Sequence, residues 1–333
     1  MTLTICLIPG DGIGQEVIPA AARVLEALKA DIAFTHAEAG WDCFQKYGDA
    51  LPAVTIQAIE AAHWSLFGAT SSPSTKVAGY ASPVLTMRKR FDLYANLRPT
   101  LSLPIVVAGG REGVDLLIVR ENTEGMYSGR ERREGDTAIA ERVITVRASE
   151  RIARVAFEHA MRRRKQVTIV HKANVLKETD GLFRDACLRI AAEFPGVVVN
   201  ELLIDACAMW LVKDPARFDV IVTTNLFGDI LSDEAAGLIG GLGVAPSANV
   251  GAGTVAYYEP VHGSAPDIAG RGIANPLGAI LSAAMLLNDA GLPDQAARVT
   301  QAVQQSLRDG ILPRDLGGEA STDQVTAAVL ARC

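Results

Sequence analysis

No Cys-x-x-Cys pair occurs in this chain: its five cysteines stand singly at positions 6, 43, 187, 207 and 333. An odd, scattered set argues against a disulfide framework and fits a reducing cytoplasm. An excess of basic residues is missing too. Lysine and arginine number 32 against 38 aspartates and glutamates, a net charge of −6, so nothing advertises a nucleic-acid partner. The one basic cluster, Arg162-Arg163-Arg164-Lys165, follows a helical pattern and reads as a last turn complementing the helix dipole. No apolar stretch of membrane-spanning length escapes interruption by charge or glycine, and the opening residues 1–8 lack the basic start and the length of a signal peptide. The expectation is a soluble cytoplasmic protein with no membrane partner. Internal repeats and low-complexity tails are absent. The ordinary dinucleotide fingerprint is missing as well: the glycines of Pro9-Gly-Asp-Gly-Ile-Gly14 fall at 10, 12 and 14 and miss the GxGxxG spacing. The turn reads first as a tight bend with positive φ angles.

What is present points to an α/β protein. A chain of 333 residues, 49% of them apolar, suits two domains or one large α/β unit. Short apolar runs at 3–8, 65–69, 115–120, 167–170, 197–204 and 219–224 read as strands. Helical periods follow at 13–28, 149–164, 276–289, 294–307 and 322–331. This alternation predicts a largely parallel core sheet. Residues 237–253, rich in Gly, Ala, Pro and Ser, read as an interdomain crossing.

Charged residues collect at the ends of these strands: Arg120, Lys172, Asp205 and, just past residue 224, Asp229. Asp229 and Asp233 lie four apart in a helical segment, which places both carboxylates on one face. Taken alone, such a pair most often just solvates a helix face. A divalent cation between them is the sharper reading, and oxygen-only ligands favour Mg2+ or Mn2+. Arg88, Arg98 and Arg120 suit a substrate with several carboxylates, because guanidinium forks bind carboxylates in a planar, bidentate way. Lys172 and Tyr127 are then left for proton transfer.

Six motifs in order carry a resemblance. They are Pro9-Gly-Asp-Gly-Ile-Gly14, Asp92-Leu-Tyr-Ala-Asn-Leu-Arg-Pro99, Val119-Arg-Glu-Asn-Thr-Glu-Gly125, His171-Lys-Ala-Asn174, Thr224-Asn-Leu-Phe-Gly-Asp-Ile-Leu-Ser-Asp233 and Glu259-Pro-Val-His-Gly-Ser-Ala-Pro-Asp267. Over almost its whole length the chain resembles the β-decarboxylating dehydrogenases, which include the isocitrate, isopropylmalate, homoisocitrate and tartrate enzymes. The resemblance implies a non-Rossmann fold of two domains, one from residues 1–98 and 246–333, the other from 99–245. It also implies a homodimer or larger homo-oligomer with shared active sites, joined partly by an arm at 129–146. Arg88, Arg98, Arg120 and Tyr127 would meet substrate from one protomer, while Lys172 and Asp205 would come from its partner. Asn174, Ser82 and Leu85 are further candidates for substrate contact. Asp205, Asp229 and Asp233 would hold the metal.

The implied reaction oxidises a 2-hydroxy acid bearing a carboxylate at C3, then releases carbon dioxide. Lys172, with Asp205 as a relay, would take the hydroxyl proton, and Tyr127 would return a proton to the enol. For the cofactor, Asp267 would accept hydrogen bonds from the adenosine ribose and repel a 2′-phosphate, which favours NAD. NADP-using isocitrate relatives typically show Lys-Tyr where this chain has Asp267-Ile268. Asn275 is expected at the adenine, and Glu259, His262, Gly263, Ser264 and Ala265 around the dinucleotide.

Substrate choice is expected to depend on Tyr80-Ala-Ser-Pro-Val-Leu-Thr-Met-Arg88. Ser82-Pro-Val-Leu85 resembles the Ser-Pro-Ile-Val form of some homoisocitrate dehydrogenases, although one branch of them has an arginine where Leu85 stands. Homoisocitrate, and with it lysine synthesis through aminoadipate, is the expected assignment, with isocitrate and 3-isopropylmalate as alternatives. A silent regulatory subunit of an NAD isocitrate dehydrogenase is the non-enzyme alternative. Such subunits usually lose metal or proton-transfer residues, and Tyr127, Lys172, Asp205, Asp229 and Asp233 are all present.

Overall fold

The computed structural model describes residues 2–333. From the N-terminus, β1 (Leu3–Gly10), α1 (Gly14–Ala27) and β2 (Ile32–His36) are followed by α2 (Trp41–Tyr47), α3 (Ala53–Ala62) and β3 (Trp64–Ala69). Next come α4 (Pro83–Arg90), β4 (Ala95–Leu101), β5 (Asp115–Glu121) and the paired β6 (Glu131–Glu134) and β7 (Thr137–Ala140). Then α5 (Val146–Met161), β8 (Gln166–His171), α6 (Thr179–Ala191), β9 (Val198–Leu203) and α7 (Ile204–Lys213) lead to β10 (Val220–Thr223) and α8 (Asn225–Gly237). The chain closes with β11 (Pro246–Val250), β12 (Ala256–Pro260), α9 (Leu277–Asp289), α10 (Pro293–Arg308) and α11 (Thr322–Leu330).

Ten strands form one mixed sheet in the order β2-β1-β3-β12-β11-β4-β5-β10-β8-β9. The outer pairings are parallel, whereas β12–β11, β11–β4 and β4–β5 at the centre run antiparallel. The expected α/β class with a mixed, largely parallel sheet is what the chain adopts, and no all-parallel Rossmann order is present. Helix α1 shows why the periodicity was readable: Ile13, Val17, Ile18, Ala21, Val24, Leu25 and Leu28 are all buried against the sheet.

Two expectations need correcting. Residues 237–253 are not merely a crossing, because Pro246–Val250 is β11 in the middle of the sheet, buried along almost all its length. Its small and polar residues hid it: Ser247 and Asn249 bury their side chains by hydrogen bonding, not by apolar packing. The basic run at 162–165 lies just past the helix and not in its last turn. Helix α5 ends at Met161, and Arg163 reaches back to Asp219 Oδ1 at 2.8 Å and Asp115 Oδ1 at 2.6 Å. It ties the helix end to the starts of β5 and β10. The β6–β7 hairpin, within the expected arm, forms a separate two-stranded sheet that is almost wholly exposed. No helix among the described residues is long and apolar enough to cross a membrane.

Candidate active site

The parallel strands β5 and β10 lie side by side, with Arg120 paired to Thr223. This register sets Arg120 at the end of β5 beside the start of α8. The Arg120 side chain is almost completely buried. Its Nε and Nη2 donate to Asn225 Oδ1 at 3.1 and 2.7 Å, and its Nη1 donates to Asp229 Oδ1. Tyr127 OH donates to the other oxygen, Asp229 Oδ2, at 2.5 Å. From β4, Arg98 Nη1 lies 3.3 Å from Asp229 Oδ1 and 3.3 Å from Asp233 Oδ1, and donates to Ser232 Oγ at 2.6 Å. The like-charged pair one turn apart on α8 is thus bridged by a guanidinium.

Electrostatics follows from this crowding. Burial opposes ionisation of Asp229, yet Arg120, Arg98 and the Tyr127 hydroxyl hold its carboxyl below the ordinary range. Asp233 is pushed up by burial, which Arg98 only partly offsets. Burial, together with repulsion from Arg98 and Arg88, lowers Arg120. Burial and its bond to Asp229 raise the Tyr127 phenol, so it stays protonated and able to give a proton.

Arg88 belongs to the same region through a buried polar chain. Its Nε donates to Tyr257 OH at 3.0 Å and its Nη2 to Glu259 Oε1 at 3.2 Å. Burial works against its charge, but Tyr257 and Glu259 outweigh that and raise it. Glu259 Oε1 also accepts from Asn249 at 2.9 Å, and Asn249 Oδ1 accepts from Asn96, whose own Oδ1 accepts Arg98 Nε at 2.7 Å. Arg88 and Arg98 are thereby held by one hydrogen-bonded string across β12, β11 and β4. Sequence reasoning missed Asn96, Asn249 and Tyr257; buried asparagines opposite one another in a sheet leave no local signal.

Gly228 makes this packing possible. A Cβ there would lie 2.6 Å from Arg120 Cγ and 2.7 Å from its Cβ. Gly228→Ala is therefore expected to displace the Arg120 stem, lower kcat/KM by about 10–100-fold and cost about 1–3 kcal/mol in stability. Steady-state kinetics and urea unfolding check this, and an alanine variant with native kcat/KM would refute it.

Lys172 and Asp205 form a second group. Lys172 Nζ donates to Asp205 Oδ1 at 2.5 Å, and this bond holds the Asp205 carboxyl below its usual range. Asp205 sits in the first turn of α7, not at the strand end, since β9 stops at Leu203. Within one chain no hydrogen bond links this pair to the Arg120–Asp229–Tyr127 group, and Asn174 is exposed beyond it. Among the described residues, no three His, Cys, Asp or Glu side chains gather closely enough to cage a metal alone. Asp229 and Asp233 still fit two of the oxygen ligands of a hard divalent cation: they share a helix face, keep part of their surface open, and burial leaves Asp233 short of positive charge.

The glycine turn meets the His262–Gly270 loop. Gly10 and Gly12 take φ of +73° and +57°, and a Cβ on Gly12 would lie 2.0 Å from Ser264 O. Ile13 N donates to that same carbonyl at 2.9 Å, and Ser71 Oγ donates to Ser264 Oγ at 2.9 Å. Asp11, also missed, accepts backbone N–H groups from Trp41, Asp42 and Ser71 and so ties the glycine turn to the start of α2 and to the loop after β3. Of the expected cofactor residues, Gly263 and Asp267 are exposed, and Ala265 and Ile268 are half-buried. Glu259 and Asn275 are turned inward: Glu259 holds Arg88, and Asn275 bonds Asp315 and the Leu277 N–H. His262 Nδ1 faces Gly263 O at 2.9 Å, leaving a buried Nε2 without a partner. With Nδ1 protonated for that contact, Nε2 is an acceptor suited to a ligand N–H. On α4, Ser82 is the N-cap, its Oγ accepting the Leu85 N–H at 3.5 Å, and Leu85 is half-buried.

Comparison with known proteins agrees with this arrangement. The isocitrate/isopropylmalate dehydrogenase family profile matches residues 4–329. The chain is 56% identical over 331 residues to the isocitrate/homoisocitrate dehydrogenase of Thermus thermophilus, covering 99% of this chain and 98% of that protein. It is 49% identical to the homoisocitrate dehydrogenase of Methanocaldococcus jannaschii over 98% of this chain and 97% of the other. The crystal structure of isocitrate dehydrogenase from Methylococcus capsulatus superposes with a TM-score of 0.95 at 44% identity, covering 100% of this chain and 99% of that one. Members of this family are NAD(P)- and divalent-metal-dependent enzymes that oxidatively decarboxylate small hydroxy acids, and they are typically oligomeric. With matching motifs, fold and near-complete coverage, the chain belongs to the isocitrate/isopropylmalate dehydrogenase family and is an oxidoreductase acting on a CH–OH group.

Proposed function

We propose that the protein catalyses the NAD- and Mg2+- or Mn2+-dependent oxidative decarboxylation of homoisocitrate to 2-oxoadipate, a step of lysine synthesis through aminoadipate. The observation that carries the reading is the cluster in which Arg98 and Arg120 hold Asp229, with Asp233 and Tyr127 against it and Arg88 tied in through Glu259, Asn249 and Asn96. In this reading the arginines neutralise and orient the substrate carboxylates. A divalent cation held by Asp229, Asp233 and the partner's Asp205 would make the C2 hydroxyl more acidic and draw electrons as C3 loses its carboxylate. Lys172, once it has given a proton to Asp205, takes the hydroxyl proton as a neutral amine. Tyr127 then delivers its proton to C3, a role suited to a phenol kept protonated by burial. The exposed acid Asp267 favours NAD over NADP, and bound NAD would supply the hydride acceptor.

Residues 1–98 and 246–333 are read as the cofactor-binding domain, and 99–245 as the domain carrying the metal site and the arm. A homodimer is supported by exposed apolar side chains on consecutive helices: Met209 and Val212 on α7, and Ile230 on α8. A dimer formed there would give Lys172 and Asp205 of one protomer to the cluster of the other. Leu85 offers no charged partner for a distal carboxylate, which weighs against isocitrate and leaves 3-isopropylmalate open as the competing substrate.

The test is NADH formation with Mg2+ or Mn2+ and homoisocitrate, isocitrate, 3-isopropylmalate or tartrate in parallel. The highest kcat/KM is expected for homoisocitrate. A clear preference for another acid reassigns the substrate, and no turnover with any of them favours a silent regulatory subunit.

A further inference from the structure

Asp180, in the first turn of α6, has no solvent exposure, and none of the reaction steps above uses it. Its Oδ2 accepts the backbone N–H of Lys172 at 2.6 Å. On the other side of that lysine, the Ala173 N–H donates to His171 Nδ1 at 3.2 Å. The amides at and just after Lys172 are thus both held by buried side chains. Asp180 Oδ1 lies 2.7 Å from Arg142 Nη2 as an ion pair, although not aligned as a hydrogen bond. That same nitrogen donates to Thr224 Oγ1 at 2.8 Å, and the guanidinium lies 4.5 Å from the centre of the Phe227 ring. Thr224 is the N-cap residue of α8, yet its hydroxyl makes no capping bond; it receives Arg142 instead.

An acid in the first turn of a helix is commonly there for the helix itself. Asp180 is different, because both of its oxygens meet groups outside α6: one the Lys172 N–H, the other Arg142, which in turn reaches Thr224 at the start of α8. We propose that Asp180 is a positioning residue that fastens the Lys172 backbone on one side and, through Arg142 and Thr224, the start of the Asp229–Asp233 helix on the other. This rests on the proton-transfer reading of Lys172 given above. A flexible lysine gains direction only from a fixed Cα, and misplacing a reacting group by about 1 Å costs on the order of 100-fold in rate.

Asp180→Leu removes both contacts, whereas Asp180→Asn keeps an acceptor for the Lys172 N–H and loses the charge. With homoisocitrate or isocitrate, NAD and Mn2+, kcat per folded protomer is expected to fall about 100-fold in Asp180→Leu and about three- to ten-fold in Asp180→Asn, with KM for the acid within about three-fold. The acid limb of the kcat–pH profile is expected to move as the Lys172–Asp205 contact loosens, which a loss of folded protein alone would not produce. Thr224→Val is expected to raise the Mn2+ concentration for half-activation several-fold. A folded Asp180→Leu with kcat within two-fold of the native enzyme and an unmoved pH profile overturns the proposal. If that variant does not fold, the same result in Asp180→Asn overturns it, and a kcat loss there at constant KM supports it. Lys172→Met, measured alongside, separates the two ideas. An active Lys172→Met sinks the lysine reading, while an inactive one beside an indifferent Asp180 variant sinks only the positioning role.

Discussion

Lys172→Met is expected to lower kcat about a thousandfold while KM for the hydroxy acid stays within about threefold. Methionine keeps most of the length and apolar stem of lysine, so the loop after β8 loses a proton carrier and little packing. The Lys172–Asp205 bond is partly open to water, with side-chain exposures of 25% and 65%, so breaking it strands no buried charge. Thermal stability is therefore expected to change little, and the loss to lie in the chemical step. Steady-state kinetics together with single-turnover NADH formation measure this. A variant within tenfold of the native kcat would remove Lys172 from the proton-transfer role.

Asp229→Asn is expected to be equally severe for activity and, unlike Lys172→Met, to destabilise the fold as well. Asp229 is the common counter-ion of Arg120 and Arg98, whose side chains are only 2% and 9% exposed. Removing one partner of a buried pair costs about 3–5 kcal/mol, and the partial exposure of Asp229 brings the expectation to about 1–3 kcal/mol. Its activity is expected to fall by more than about a thousandfold, because a proposed metal ligand and the acceptor for Tyr127 are altered together. The pH dependence has a definite sign. Because the folded-state carboxyl lies below its ordinary value, its contribution is fully present above about pH 4 and disappears as pH falls through the depressed value. Urea midpoints of native and variant protein are thus expected to differ by a constant amount from pH 5 to 8 and to converge only in stronger acid. A gap that widened on acidification would contradict the pairing.

Much of this protein was legible in its residues. Apolar runs and helical periods marked β1, β5, β8, β9, β10 and helices α1, α5, α8, α9, α10 and α11 to within a few residues. That is because strand and helix periods are written in neighbouring side chains. The placing of Arg120 at the end of one strand and Asp229 just beyond another followed from the same local logic; that the two strands lie side by side did not. Strand β11 was missed because its stability comes from two neighbours distant in sequence, and its Pro, Ser, Ala and Asn residues look like a linker.

Alternating apolar runs and helical periods determined the α/β class, and the six ordered motifs determined the family and the kind of chemistry, since motif spacing survives without knowledge of contacts. Only the tertiary structure decided how those residues share their partners. It gave Asp229 to two arginines and a tyrosine, turned Glu259 inward to Arg88, set Gly228 over the Arg120 stem and placed Asp180 beneath Lys172. Apart from the eight-residue step to Asp180, these contacts join residues from about 100 to 170 positions apart, and even Asp180 reaches Lys172 through a backbone amide whose direction no side-chain pattern encodes. Their geometry depends on strand register and side-chain packing, which no local pattern of hydrophobicity or charge can express.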